Sequence, residues 1–169
     1  WKGSKKHHHI VNVTVCGSWW RGRKDERGIP HATMSDGGPN GYSIMEFDGQ
    51  NYMLEMRAAS RPADYQMQIS APVEIGSQQE QAYAYTNVFS GSKKSEVTAA
   101  IRNHKGKAVK LEMVAAHSEV DPDYKRLYDQ ERELIQKLDG KIDWMEMSAP
   151  AAAGHLWKAK LPQNLSSGM

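Results

Sequence analysis

Apolar and polar positions alternate with period two along most of the chain, the repeat of a half-buried β-strand. Residues 10–15 set Val11, Val13 and Val15 against Asn12 and Thr14. Residues 43–47 and 52–56 repeat the pattern on either side of Asp48-Gly49, a tight-hairpin signal. Arg61-Pro62 interrupts it, residues 65–69 resume it, and Pro72 stops it. Residues 81–89, 97–102 and 108–115 continue the series, the last two around a turn at Asn103-His104-Lys105-Gly106, and residues 155–160 close it. Many short strands at such spacing predict a sandwich or a barrel.

Two segments break this rhythm. Asp121 suits a helix N-cap, Pro122 the first helical position, and Gly140 the residue just past the end. At about 100° per residue, Tyr124, Leu127, Tyr128, Leu134, Ile135 and Leu138 share one arc, a stripe expected to pack on the sheet. The other segment, residues 17–41, holds Gly17, Gly22, Gly28, Pro30, Gly37, Gly38, Pro39 and Gly41 without any sustained period. A loop of that length is commonly functional or disordered, and Trp19-Trp20 within it argue for order.

Composition narrows the function. Twenty-two Lys and Arg face 20 Asp and Glu without a charged block, so no nucleic-acid footprint is expected. No apolar run is long enough to span a bilayer. Cys16 is the only cysteine, which excludes an internal disulfide and a thiolate-rich zinc site. It precedes Gly17-Ser18 and reads as a small packed thiol. His7, His8 and His9 are contiguous, but a strand would turn only His7 and His9 to one side, and they read as part of a linker. His31, His104, His117 and His155 stand singly. There is no Gly-x-Ser-x-Gly elbow, phosphate loop or dinucleotide fingerprint.

The 17–41 loop is the richest remaining candidate. It gathers Trp19, Trp20, Arg21, Arg23, Asp25, His31, Asp36 and Asn40 ahead of Tyr42, with glycines at 37, 38 and 41 that permit close backbone approach. Such a loop suits a ligand or a neighbour's cleft. The competing reading has both tryptophans plugging the end of a sandwich while the glycines only make turns.

Several blocks together carry a resemblance. Cys16-Gly17-Ser18-Trp19-Trp20, Gly28-Ile29-Pro30 and Met34-Ser35-Asp36-Gly37-Gly38-Pro39-Asn40-Gly41-Tyr42 come first. Phe47-Asp48-Gly49, Tyr52, Arg61-Pro62, Tyr65-Gln66-Met67, Asn87-Val88, His155-Leu156-Trp157 and Leu161-Pro162 follow in order. This series resembles the C-terminal domain of bacterial calcineurin-like phosphoesterases over nearly the whole chain. The resemblance implies a polypeptide in which a small β domain and then a metallophosphoesterase domain precede this one. Many such proteins are exported by Bacteroidetes-type bacteria, periplasmic or on the cell surface.

The family's two metals are held by Asp-x-His, Gly-Asp-x-x-Asp, Gly-Asn-His and Gly-His-x-His motifs, and none of these occurs here. Paired metals activate water and neutralise phosphoryl charge. The family pattern also continues past Leu161-Pro162 with Gly-His and a further strand, so truncation at the C-terminal end is expected. The chain opens at Trp1 without an initiator methionine, which leads to the expectation of a piece of a longer protein.

The expected molecule is therefore mostly β, an antiparallel β-sandwich with one inserted helix at about 121–138. Residues 1–9 are expected to be an interdomain linker and residues 10–169 a single accessory domain. That domain would carry no catalytic or metal-binding residue, and two divalent metal ions are implied in the missing catalytic domain. Its partner would be that phosphoesterase domain of the same polypeptide, with Trp19, Trp20, His31, Asp36, Asn40 and Tyr42 as candidates for lining the substrate cleft. The alternative is a carbohydrate-binding or cell-surface β-sandwich module, in which exposed rings stack on sugars.

Overall fold

Aspartate and glycine at 48 and 49 turn the chain back on itself, and the first two strands pair along their whole length. The computed structural model describes residues 9–75, 81–102 and 108–162. Strands β1 (Gly41–Asp48) and β2 (Asn51–Ala58) form a two-stranded antiparallel sheet, with Gly49 in the turn at φ 59°. Strands β3 (Met67–Ser70), β4 (Tyr83–Val88), β7 (Val114–Ala115) and β8 (Leu156–Lys160) form a four-stranded sheet in the order β3-β4-β8-β7. Strands β5 (Ala99–Arg102) and β6 (Ala108–Leu111) make a third pair. All pairings between these strands are antiparallel, and α1 (Pro122–Lys137) is the single helix among the described residues. The mostly-β, antiparallel, single-helix architecture expected from the sequence is the one observed.

The helix begins and ends where its sequence signals stand. The Asp121 carboxylate accepts from Tyr124 N at 2.8 Å, Pro122 occupies the first turn, and Gly140 (φ 74°) donates its N–H to Ile135 O at 2.9 Å. Its buried side chains, however, are hydrogen-bonded to the segment after the helix. The buried helix side chains are Tyr124 and Glu131, seven residues apart, and both face the segment after the helix. Tyr124 Oη donates to Ser148 O at 2.8 Å, while Glu131 accepts from Trp144 Nε1 (2.8 Å) and Met147 N (2.7 Å). The start of the helix is hydrogen-bonded to the four-stranded sheet, through Asn87 to Asp121 and Gln68 to Asp123.

The strand expected over residues 10–15 does not form. Its alternation finds no strand to pair with. Thr14 O instead accepts from both Gly17 N and Gly41 N at 3.0 Å, and Asn12 meets Ser43 side chain to side chain at 2.6 Å. The segment is thereby tied to the start of β1. The run over 108–115 is two strands, because after Leu111 the chain leaves β5 and crosses to pair with β8. The turn expected at Asn103-His104-Lys105-Gly106 lies outside the described residues, although Arg102 and Ala108 pair on either side of it.

The apolar interior is divided. Ala82, Leu111, Ala159 and Leu161 form one cluster, with Ile75, Ile101 and Met113 against it. Ala116, Ala153 and Leu156 form a second beside Tyr85.

Candidate functional site

Residues 17–41 are an ordered loop with its own hydrogen bonds. His31 N donates to Arg23 O and Ala32 N to Arg21 O, each at 3.0 Å, folding residues 21–32 into an irregular ribbon. Gly17 (φ 51°) could carry no side chain, since a Cβ there would stand 1.7 Å from Ala32 O. A turn follows in which Trp19 and Trp20 adopt φ 60° and 56°. Two consecutive bulky residues in the left-handed region are a true outlier, costing about 1–2 kcal/mol each. Trp20 N to Cys16 O (3.1 Å), Arg21 N to Ser18 O (3.2 Å) and Gly22 N to Met145 O (2.7 Å) hold the turn. The rings do not plug a sandwich end: Trp19 is 79% exposed and Trp20 45%.

The second half of the loop enters a buried polar network. Asn87, 1% exposed on β4, donates through Nδ2 to Asp36 O (3.0 Å) and to Asp121 Oδ2 (2.9 Å). That orientation turns Asn87 Oδ1 toward His155 Nδ1 at 2.5 Å, so Nδ1 carries a proton. The other ring nitrogen, Nε2, faces Asp36 Oδ2 at 3.3 Å. Gly37 (φ 82°) passes so close that a Cβ would meet the Asp121 and Asn87 side chains at 2.5–2.7 Å. Burial opposes the Asp36 charge, but the His155 hydrogen bond, the Gly38 N–H and the charge of His155 outweigh it, leaving its pKa below the ordinary value.

The six loop and strand candidates therefore divide. Trp19, Trp20 and Tyr42 (46% exposed) present rings to the outside. Asp36 belongs to the His155 network and lines a cleft of about 650 Å3, together with His155, Met34, Met56 and Phe89. His31 lies apart, its Nδ1 2.7 Å from Thr33 Oγ1, on clefts shared with the helix; burial pushes its pKa down despite the nearby Asp25 and Glu26. Asn40 is buried and spends its amide on Val15 O at 2.7 Å, which makes it scaffolding for the turn.

Sequence reasoning missed His155 and Asn87 as partners of Asp36. Asn87 stands in the sequence only in a block of the resemblance and His155 there and as a single histidine, and no local spacing joins residues this far apart.

The chemistry open to this network is limited. Both nitrogens of His155 face partners, Asn87 Oδ1 and Asp36 Oδ2, so the ring clamps β4 to the second half of the loop. Among the described residues no group of three His, Cys, Asp or Glu side chains is placed to hold a metal ion. The paired-metal chemistry implied by the resemblance thus finds no matching donors in the described part of this chain. Among those residues, too, no helix is long and apolar enough to cross a membrane.

Comparison with known proteins gives no significant match to a curated protein or to a solved structure. A family model does match, over residues 9–169, described as the C terminal of calcineurin-like phosphoesterase. The family that the order of blocks from Cys16 to Pro162 resembles is the one this match shows, and the chain belongs to the C-terminal domain family of the calcineurin-like phosphoesterases.

Proposed function

We propose that this chain is a non-catalytic accessory domain that packs on the metal-dependent phosphoesterase domain of the same polypeptide, a hydrolase, and borders its substrate cleft. Residues 10–169 would form the domain and residues 1–9 its linker. The two divalent metal ions would belong to the preceding domain, where they activate water against a phosphoester. Export to the periplasm or cell surface of a Bacteroidetes-type bacterium belongs to the same reading, by family resemblance.

The observation that carries the cleft-shaping role is the Trp19–Trp20 turn. Backbone strain under two exposed indoles is not needed to fill a core, and strained backbone concentrates where side chains must be presented in a fixed direction. Rigid aromatic rings offer a large contact area with little conformational entropy to lose on binding. Tyr42 adds a third exposed ring, while Asp36 and Asn40 hold the loop that supports them.

Replacing Trp19 and Trp20 with Gly in the full polypeptide separates function from folding. Glycine suits the left-handed backbone, so the melting temperature should hold or rise. The kcat/KM on phosphoesters should fall about tenfold, equivalent to ~1.4 kcal/mol of transition-state stabilisation. Unchanged kinetics on every phosphoester tried would remove the role. A saturable change in tryptophan fluorescence with a glycan would instead favour the carbohydrate-module reading, to which the same exposed rings lend themselves.

A further inference from the structure

The β1–β2 hairpin has two chemically different faces. Residues paired directly across an antiparallel ladder project to the same side. One face carries the pairs Tyr42–Arg57, Ile44–Glu55, Glu46–Met53 and Asp48–Asn51. These include every charged residue of both strands: Glu46, Asp48, Glu55 and Arg57. The other face carries Gly41–Ala58, Ser43–Met56, Met45–Leu54 and Phe47–Tyr52, with no charge at all.

Exposure rises along the uncharged face from base to tip. At its base Met56 and Ala58 are buried, at 4% and 5% exposure. Farther out Leu54 is half-buried, Met45 is 39% exposed and Phe47 72%, with the Phe47 and Tyr52 rings 6.2 Å apart. Ser43, Leu54 and Met56 of this face form one wall of the 650 Å3 cleft that also holds Met34 and Phe89. Cleft and exposed tip therefore adjoin each other, the apolar tip running into a cleft that also holds the polar Asp36 and His155. A two-stranded sheet by itself is marginal in water, and this one pairs with neither of the other sheets.

We infer that this uncharged hairpin face, with the adjoining cleft, is the surface on which the phosphoesterase domain of the same polypeptide docks. The inference rests on the proposed accessory role and adds the face through which it is exerted. The path of the chain selects the occupant. Residues 12 and 14 are fastened to the first residues of β1, by Asn12 to Ser43 and Thr14 O to Gly41 N, and residues 9–13 line the same cleft. A domain joined ahead of residue 9 is thus delivered beside this face at high effective concentration. Val11, 87% exposed on that segment, extends the apolar area toward the point of entry. An interface centre depleted of charge is the ordinary composition of such a contact.

Hydroxyl-radical footprinting of the full polypeptide, read by mass spectrometry, tests the face directly. Met45 lies on the uncharged face and Met53 on the charged one, so the same side-chain chemistry is compared on opposite sides. Exposure in this domain alone, 39% against 66%, accounts for less than a twofold difference in rate. Docking should slow Met45 about fivefold or more relative to Met53, and Phe47 with it, because the centre of an interface excludes water. Phe47→Asp in the full polypeptide should abolish that protection, and since Phe47 is largely exposed the domain itself should stay folded. Reaction of Met45 and Phe47 in proportion to their exposure here overturns the inference. Protection that vanishes on dilution, alongside a dimer, also overturns it by making a second copy the occupant. Failure of the footprint with an intact effect of the Trp19 and Trp20 substitutions would leave the accessory role standing on another face.

Discussion

At the scale of single residues, the clamp between Asp36 and His155 gives the domain a defined acid response. Asp36 reaches across 119 positions to His155 and also accepts the Gly38 N–H at 3.0 Å. Its carboxyl sits below the ordinary value of 3.8 when folded, so the ionised form favours the native state. The contribution is present in full above that ordinary value and is lost as pH falls from it through the lower folded value. Urea midpoints of the full polypeptide recorded from pH 6 to 3 should show an acid-induced loss that Asp36→Asn makes shallower. The variant should also be less stable than the parent near neutrality and approach it at the acid end. Parallel acid limbs for both proteins would mean that the clamp carries no such linkage.

At the scale of elements, α1 and the segment after it depend on a buried carboxylate. Glu131 is 1% exposed and accepts the Trp144 indole N–H and the Met147 backbone N–H. The same strap supplies Met145 O to Gly22 N and Glu146 O to the Arg21 guanidinium, so it joins the helix to the tryptophan turn. Glu131→Ala leaves one buried and one part-buried donor unpaired and opens space, and should lower unfolding free energy by about 2–4 kcal/mol in urea titrations. Glu131→Gln retains one acceptor oxygen and should lose roughly half as much. Equal losses in the two variants would show that packing volume, not the hydrogen bonds, is what Glu131 provides.

The legibility of the fold varied along the chain for the same physical reason. Asp121, Pro122 and Gly140 act on neighbours within a turn, and Asp48-Gly49 acts on the two residues beside it, so these boundaries could be read directly. Glu131 could not be read, because a glutamate within a helix looks solvated until Trp144 folds back onto it. The alternation over residues 10–15 suggested a strand, yet a strand needs a partner edge and periodicity does not show whether one exists. In the candidate site, Trp19 and Trp20 stood out by composition, whereas Asn87 and His155 join Asp36 only through tertiary folding.

Over the whole molecule, the interior depends less on a large apolar core than on a central ladder reinforced by polar ties. The largest fully buried side chains are Tyr124, Leu156, Glu131 and Asn87, and two of these four are polar. The apolar clusters are otherwise built largely from alanines, which bury little area each. Strands β4 and β8 are flanked on both sides in the four-stranded sheet, while β1–β2 stands apart from it. Opening should therefore occur in at least two cooperative units. In hydrogen exchange of the full polypeptide, the slowest amides of this domain should lie in β4 and β8. Leu156 is 0% exposed at the contact between β8 and the second apolar cluster, so Leu156→Ala should cost about 2–5 kcal/mol. That loss should speed exchange in β4, β7 and β8 together and leave the β1–β2 amides nearly unchanged. If the hairpin amides instead accelerate by the same factor as β8, the sheets open as a single unit, and the hairpin is held by the body of the domain rather than by what covers its uncharged face.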